Sequence, residues 1–470
     1  MSLYTPPNRK VVLLDFAQNP GIEDLKEAYM YYEYPTGARE SHLAWPSGTH
    51  GVLAEDSADG QKVEIPVEPM NVLVTGTTGY GKTEFTKAYI RRRFQQDENL
   101  FAVIYQMKPD DFTGEFLRPQ DLVITFDEDD TLTAKGFHFF KWNLVREIRS
   151  VKQAEWDPLL HAISSILFAD LLREPRNRLW AWGAMMAFES FIKVILYRYT
   201  NNPFNRELIN GMKYMNRLEF LQFLAGYPPN RSMLRDYFDF DPDNCRDYVM
   251  PRKGSDIFFF LQDVLSRFGG TFLSEDGDDT IYDYLHGRYG ERLFIIHDHK
   301  KRHSLQMFEL FFLKYLTDSL LSLSSDFRER LLLVLDEIDK VEHDFGLTQA
   351  VTLGRQFGLD VIVSTQSLES LYAIAPDNHG EHLTNASLSG FSMFVSFHAG
   401  DPYTINTLQK LYGSRRKMIM EMPLSRYGRP QVKSEMRPFV EDMDFANLGV
   451  GECYVKYRDG LPRNVKILLD

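Results

Sequence analysis

Short apolar runs bounded by turn residues recur along the chain. They are Val11–Leu14, Val72–Thr75, Phe101–Tyr105, Leu122–Phe126, Leu293–His297, Leu331–Leu335, Val361–Ser364, Met393–Phe397 and Cys453–Tyr457. Runs this short, without polar alternation, predict strands buried on both faces. Helical patterns alternate with several of them, which predicts a mostly parallel sheet covered by helices on both sides. Between about 145 and 290 the texture changes to helices alone: Leu159–Arg173, Leu179–Tyr199, Asn205–Asn210, Arg217–Ala225 and Ser255–Phe268, broken near Pro175, Pro203 and Pro228-Pro229. The expected organisation is an N-terminal segment 1–65 holding a small β element, an α/β domain built from 66–145 and 291–470, and an all-α insertion over 146–290. Two further helices have local support. Leu305, Phe308, Phe312, Leu316, Leu320 and Leu323 form one apolar stripe over Ser304–Leu323. Asp401-Pro402 is a cap followed by proline at the first helical position, starting a helix that runs to about Tyr412 and that Gly413 can end.

At 470 residues the chain is too long for one small core, and its 44% hydrophobic and 25% charged residues are those of a globular protein. The net charge of −13 repels nucleic acid on average, so any DNA contact has to come from a local basic surface such as a pore lining. Two cysteines, Cys245 and Cys453, are too few for a disulfide framework. Residues 1–10 are polar, without the apolar core of an export signal, and a cytoplasmic protein is expected. The best membrane-spanning candidate, Leu179–Leu196, carries Glu189 and Lys193 and reads as a buried helix, leaving no transmembrane segment expected.

The strand Val72–Thr75 runs into Gly76-Thr77-Thr78-Gly79-Tyr80-Gly81-Lys82-Thr83 and then into a helical pattern from Glu84. Strand, G-x-x-x-x-G-K-T and helix together are the context a phosphate-binding loop requires. The glycines let the backbone turn its N–H groups inward, and the helix start adds positive dipole. Lys82 can reach the β- and γ-phosphates of ATP, and the Thr83 hydroxyl can ligate Mg2+.

Downstream, Leu331–Leu335 ends in Asp336-Glu337. Beside a phosphate loop, such a strand delivers Asp336 to the Mg2+ shell, and Glu337 can orient and deprotonate the attacking water. Another strand ends in Thr365-Gln366, where the glutamine can sense the γ-phosphate or position water. Arg355 lies in the helix-to-strand connection before it and has two readings: an arginine finger, or an exposed arginine in a salt bridge.

The order of these segments resembles the FtsK/HerA superfamily of hexameric translocases, and within it the type IV secretion coupling proteins of the TraG/TraD type. The resemblance covers about 65–470. Beyond the phosphate loop it rests on six segments. Ala102 to Lys108-Pro109 looks like the family's second strand and basic turn, although the expected glycine is missing. Phe140-Lys-Trp-Asn143 looks like the lead-in to its all-α domain, and Arg178-Leu-Trp-Ala-Trp182 like its tryptophan helix. Asp336-Glu337 and Gly354-Arg355 through Gln366-Ser367 match in type and order, and Phe397-His-Ala-Gly-Asp-Pro402 resembles its late segment. The resemblance implies a RecA-like P-loop NTPase with an all-α insertion. It also implies a homohexamer around a pore, Arg355 acting in trans, and DNA as cargo. Coupling proteins typically carry N-terminal membrane helices, so recruitment by membrane secretion components at the inner membrane face is the corresponding expectation.

The expected activity is therefore ATP-driven DNA translocation through a hexameric ring. An ATPase that moves protein substrates in a secretion system, and a HerA-like helicase or packaging subunit, are the alternatives. Arg91–Arg93, Arg415–Lys417 and the His299–His303 run read as solvated helix ends rather than phosphate contacts. His297, His299 and His303 lack companions for a metal site. Phe258–Phe260 and the Trp180/Trp182 pair read as core.

Overall fold

The computed structural model describes residues 29–35, 51–108, 111–124, 138–267, 276–287, 292–297, 311–319, 330–338, 346–373, 380–421 and 431–468. In chain order its strands are β1 (Tyr29–Pro35), β2 (Val52–Asp56), β3 (Lys62–Ile65), β4 (Val72–Thr75), β5 (Phe101–Gln106), β6 (Leu122–Ile124), β7 (His138–Phe139) and β8 (Arg292–Ile296). They continue with β9 (Leu331–Leu335), β10 (Leu359–Thr365), β11 (Met393–Ser396), β12 (Ser414–Glu421), β13 (Gln431–Pro438), β14 (Glu452–Tyr457) and β15 (Arg463–Ile467). The expected strand at Val11–Leu14 lies outside the described residues, as do the ends of the Ser304–Leu323 helix, of which 311–319 is described and helical. The chain divides into two compact units, one of Met1–Glu98, Ile338–Lys340 and Ile362–Asp470, the other of Asn99–Glu337 and Val341–Val361.

In the first unit β4 lies between β10 and β11 and is parallel to both. Every residue of β4 and β11 is buried, which is why each reads as an unbroken apolar run. Outward from β11 the ladder turns antiparallel through β14, β15, β2 and β3. Here burial alternates, as along β2, because only one face meets the core. That alternation over short spans is why β2, β3 and β15 do not stand out as apolar runs. A separate antiparallel sheet has the order β1-β12-β13. Arg415-Arg-Lys417 belongs to β12 and not to a helix end: the helix Pro402–Tyr412 stops at Gly413, φ 85°, and the strand starts at the next residue. The start of that helix is as expected, with Asp401 accepting from the Thr404 N–H at 2.7 Å.

In the second unit β9-β5-β8-β6-β7 pair in parallel throughout. Beyond β7 the chain forms helices around Arg178–Arg198. The expected Leu159–Arg173 helix is two, Trp156–Leu167 and Ala169–Arg173, divided at Phe168. The Asn205 helix extends to Tyr214. Gly183 of the long helix faces Ile257 of Arg252–Arg267. A Cβ there would sit 2.7 Å from Ile257 Cδ1, so any side chain at this position would have to displace Ile257. Arg178–Arg198 is long and apolar enough to cross a membrane, but 67% of its most apolar window is buried in the fold. Its charges are absorbed there: Glu189 accepts from His161 Nδ1 at 2.9 Å, and Lys193 lies 3.5 Å from Asp157. Arg149 caps the helix end by donating to the carbonyls of Ile195, Leu196 and Tyr199.

The expectation that Phe258–Phe260 and the tryptophan pair are core is corrected. Phe258 is buried, whereas Phe259 is 70% exposed and Trp182 40% exposed. Adjacent residues of a helix point about 100° apart, so a helix with one buried face cannot bury three phenylalanines in a row.

Candidate functional site: a phosphate loop strapped on three sides

β4 delivers the chain into the loop at its buried C-terminal end. Gly76, Gly79 and Gly81 have φ values of 144°, 88° and 110°, the region in which side-chain-bearing residues are strained. A Cβ on Gly76 would also stand 2.7 Å from Phe397 Cβ. The helix Lys82–Gln96 follows directly, with Gly81 at its left-handed N-cap. Buried Lys82 turns its ammonium onto the loop, donating to Gly76 O at 2.5 Å and Thr77 O at 3.2 Å. Thr78 and Gly79 are exposed and Thr83 is half-buried. Glu84 is exposed and bonded to Lys87 at 3.0 Å, so its carboxylate runs along the helix.

Three segments strap this loop from outside it. The Gly76 N–H donates to Thr365 O at 3.3 Å, the Thr77 N–H to His398 O at 2.8 Å, and the Gly451 N–H to Tyr80 O at 3.0 Å. His398 adds its side chain, with Nδ1 2.8 Å from Thr77 Oγ1 and its ring stacked on Tyr80 at 4.3 Å between centroids.

Gln366, half-buried, follows β10 where the chain leaves Thr365. The turn around it is tied down: Thr365 Oγ1 donates to Ser367 O at 2.8 Å, and the Leu368 N–H donates to Thr404 Oγ1 at 2.8 Å. In the second unit β9 ends in Asp336 and Glu337, which are 1% and 5% exposed. The Asp336 N–H donates to Tyr105 O at 3.1 Å. Glu337 has a φ of 48°, a strained conformation for a residue with a side chain and one that clusters at functional sites. Arg355 is exposed in the tight turn Gly354–Phe357, which Gly358 ends with a φ of 80°. Among the described residues no ion pair holds it. Lys108 is exposed, 4.0 Å from Asp111.

The family model for the type IV secretion-system coupling protein DNA-binding domain matches residues 62–470. The chain belongs to this family. Among solved structures it is similar to the bacterial conjugative coupling protein TrwBdeltaN70, unbound, at 20% identity over 87% of this chain and 88% of that one, with a TM-score of 0.66. The plasmid coupling protein TrwB in complex with ADP and Mg2+ matches at 20% identity over 87% of each chain, TM-score 0.65. VirB4 of Thermoanaerobacter pseudethanolicus matches at 14% identity over 91% of this chain and 98% of that one, TM-score 0.54. These are likenesses of fold, and that fold is the RecA-like P-loop domain with a helical domain expected from the sequence. A search of the curated proteins finds no match.

For this coupling-protein chain, the sequence marks the residues of the loop and the strand ends but not what holds them. His398 stands out in it only as part of a late segment. Asn143, expected at the lead-in to the helices, joins that lead-in to a distant segment. It is fully buried, and its side chain accepts from the Arg146 N–H at 2.9 Å and donates to Gly277 O at 3.0 Å. Glu147 belongs to no motif. It is 1% exposed and accepts from Trp142 Nε1, the Ile281 and Tyr282 N–H groups and the Tyr315 hydroxyl. The His299–His303 run lies outside the described residues.

Proposed function

We propose that this coupling protein is an ATPase that drives DNA transfer as a ring of six identical subunits, with the loop 76–83 binding the triphosphate of ATP. The observation that carries the reading is the loop itself: left-handed glycines ahead of a helix N-terminus, with a buried lysine turned inward. TrwB, whose fold this chain shares, has been solved with ADP and Mg2+ and with a non-hydrolysable ATP analogue.

In this reading Lys82 neutralises phosphate charge. Glu337 takes the proton of the water whose oxygen attacks the γ-phosphorus. The bond to the bridging oxygen breaks, and ADP and phosphate leave. Mg2+ prefers few protein oxygens beside waters and phosphates, and the Thr83 hydroxyl and the buried Asp336 carboxylate are donors of that kind. When bound it would offset negative charge on the phosphates. Gln366 senses the γ-phosphate or orients the water, and Arg355 serves the neighbouring subunit's nucleotide. The protein works in the cytoplasm or at the inner membrane face, where secretion components recruit it.

Fluorescence anisotropy with single- and double-stranded oligonucleotides tests the cargo. The expected result is binding at low salt whose logarithm falls linearly with the logarithm of salt concentration, as counterions are released from the DNA. Absence of binding at low salt contradicts DNA as cargo and points to a protein substrate.

A further inference from the structure

We propose that His398 is a positioning residue for the phosphate loop, holding its tip, residues 77–80, in the shape that receives the triphosphate. This rests on the reading of the chain as an ATPase.

β11 runs parallel to β4, and the Phe397 N–H donates to Thr75 O at 2.8 Å, so the chain leaves β11 alongside the loop. There the imidazole grips the tip at both ends. At one end Thr77 Oγ1 donates to His398 O at 3.2 Å, which commits the hydroxyl proton. The 2.8 Å contact to Nδ1 is then satisfied with Nδ1–H as donor, an assignment made from the hydrogen-bond network. At the other end the ring lies on Tyr80, 15° from parallel. Between the two ends stand exposed Thr78 and Gly79, and a Cβ on Gly79 would meet nothing within 4 Å. The middle of the tip is therefore open, and the ring holds its two ends.

The remaining straps, from Thr365, His398 O and Gly451, are backbone hydrogen bonds that no side-chain substitution removes. The contribution of the ring is thus separable from the fold of the loop. A tip that fluctuates has to be ordered when phosphate binds, and that ordering weakens affinity. The same amides face phosphate before and during reaction, so the loss falls on binding and KM more than on kcat.

The test uses His398→Ala, which loses both grips, His398→Asn, which keeps a donor at the Nδ1 position, and His398→Phe, which keeps the stack. Affinity for a fluorescent ATP analogue, KM and kcat are measured for each, with Thr77→Val added to wild type and to His398→Ala. The alanine variant is expected to bind ATP ~10-fold more weakly, the combined size of one hydrogen bond and one aromatic stack. Its kcat is expected to stay within about threefold of wild type, as for loss of uniform binding. Asparagine and phenylalanine should each recover part of the affinity. Thr77→Val should weaken wild type but add little to His398→Ala. Thermal unfolding without nucleotide separates folding from positioning, and if the alanine variant does not fold, the asparagine and phenylalanine variants carry the test. Unchanged ATP affinity in His398→Ala, or a loss confined to kcat, overturns the proposal while leaving the ATPase reading intact. Wild type that binds no ATP and matches Lys82→Ala overturns both.

Discussion

Glu147 shows what a single residue can hold. It accepts hydrogen bonds from four donors on three stretches of chain: Trp142 Nε1 at 2.8 Å, the Ile281 and Tyr282 N–H groups at 2.6 and 3.0 Å, and the Tyr315 hydroxyl at 3.1 Å. Burial pushes its carboxyl up to about 7 from an ordinary 4.5, against those donors, which favour the ion. The folded protein then holds this proton more tightly than the unfolded chain. The contribution of Glu147 to stability is full below pH 4.5 and is lost as pH rises to about 7. Glu147→Gln should flatten that part of the profile of melting temperature against pH. It should also destabilise by about 2 kcal/mol, because its amide N–H group meets donors. A variant with an unchanged slope contradicts the assignment. Nothing local in the sequence marks Glu147, since its partners come from up to 168 residues away. His398, 321 residues from Thr77, is hidden for the same reason. Gly76 to Thr83 is legible because the turn, the helix start and the lysine all lie within one short segment.

Elements are legible where burial is two-sided. β5, β9 and β10 are buried at every position and appear as apolar runs. β12, Ser-Arg-Arg-Lys-Met-Ile-Met-Glu, carries three cations at its start and owes its strand state to pairing with β1 and β13. Such tertiary pairing overrides local propensity. The junction between the parallel strands and the helices of the second unit depends on one cap. Asn143→Ala removes the N-cap of Leu144–Arg149 and the donor to Gly277 O, leaving half-buried partners unmet. It should cost about 2–3 kcal/mol in chemical denaturation. Asn143→Asp keeps the acceptor for the Arg146 N–H but turns a buried carboxylate onto the Gly277 and Pro203 carbonyls, and should cost at least as much. Equal stability of all three proteins would remove Asn143 from this role.

At the scale of the whole molecule, the net charge of −13 means that the proposed DNA cargo has to meet a local basic surface. Arg355 is exposed in its turn, as a residue that serves a neighbouring subunit has to be. Arg355→Ala should bind ATP as wild type does but hydrolyse it ~10³-fold more slowly, the lower end of what an arginine finger supplies. Mixing it with Lys82→Ala subunits should restore part of the activity, since some interfaces then combine an intact loop with an intact arginine. Mixtures no more active than their components contradict action in trans.

The central claim is that ATP hydrolysis is coupled to DNA. ATP turnover by wild type and by Glu337→Gln, each with and without single- and double-stranded DNA, tests it most directly. Wild type should hydrolyse ATP faster when DNA is added, and Glu337→Gln should bind ATP yet turn it over ~10²-fold or more slowly in every condition, as for loss of a general base. Wild-type turnover indifferent to both forms of DNA, or a glutamine variant as fast as wild type, would contradict the account.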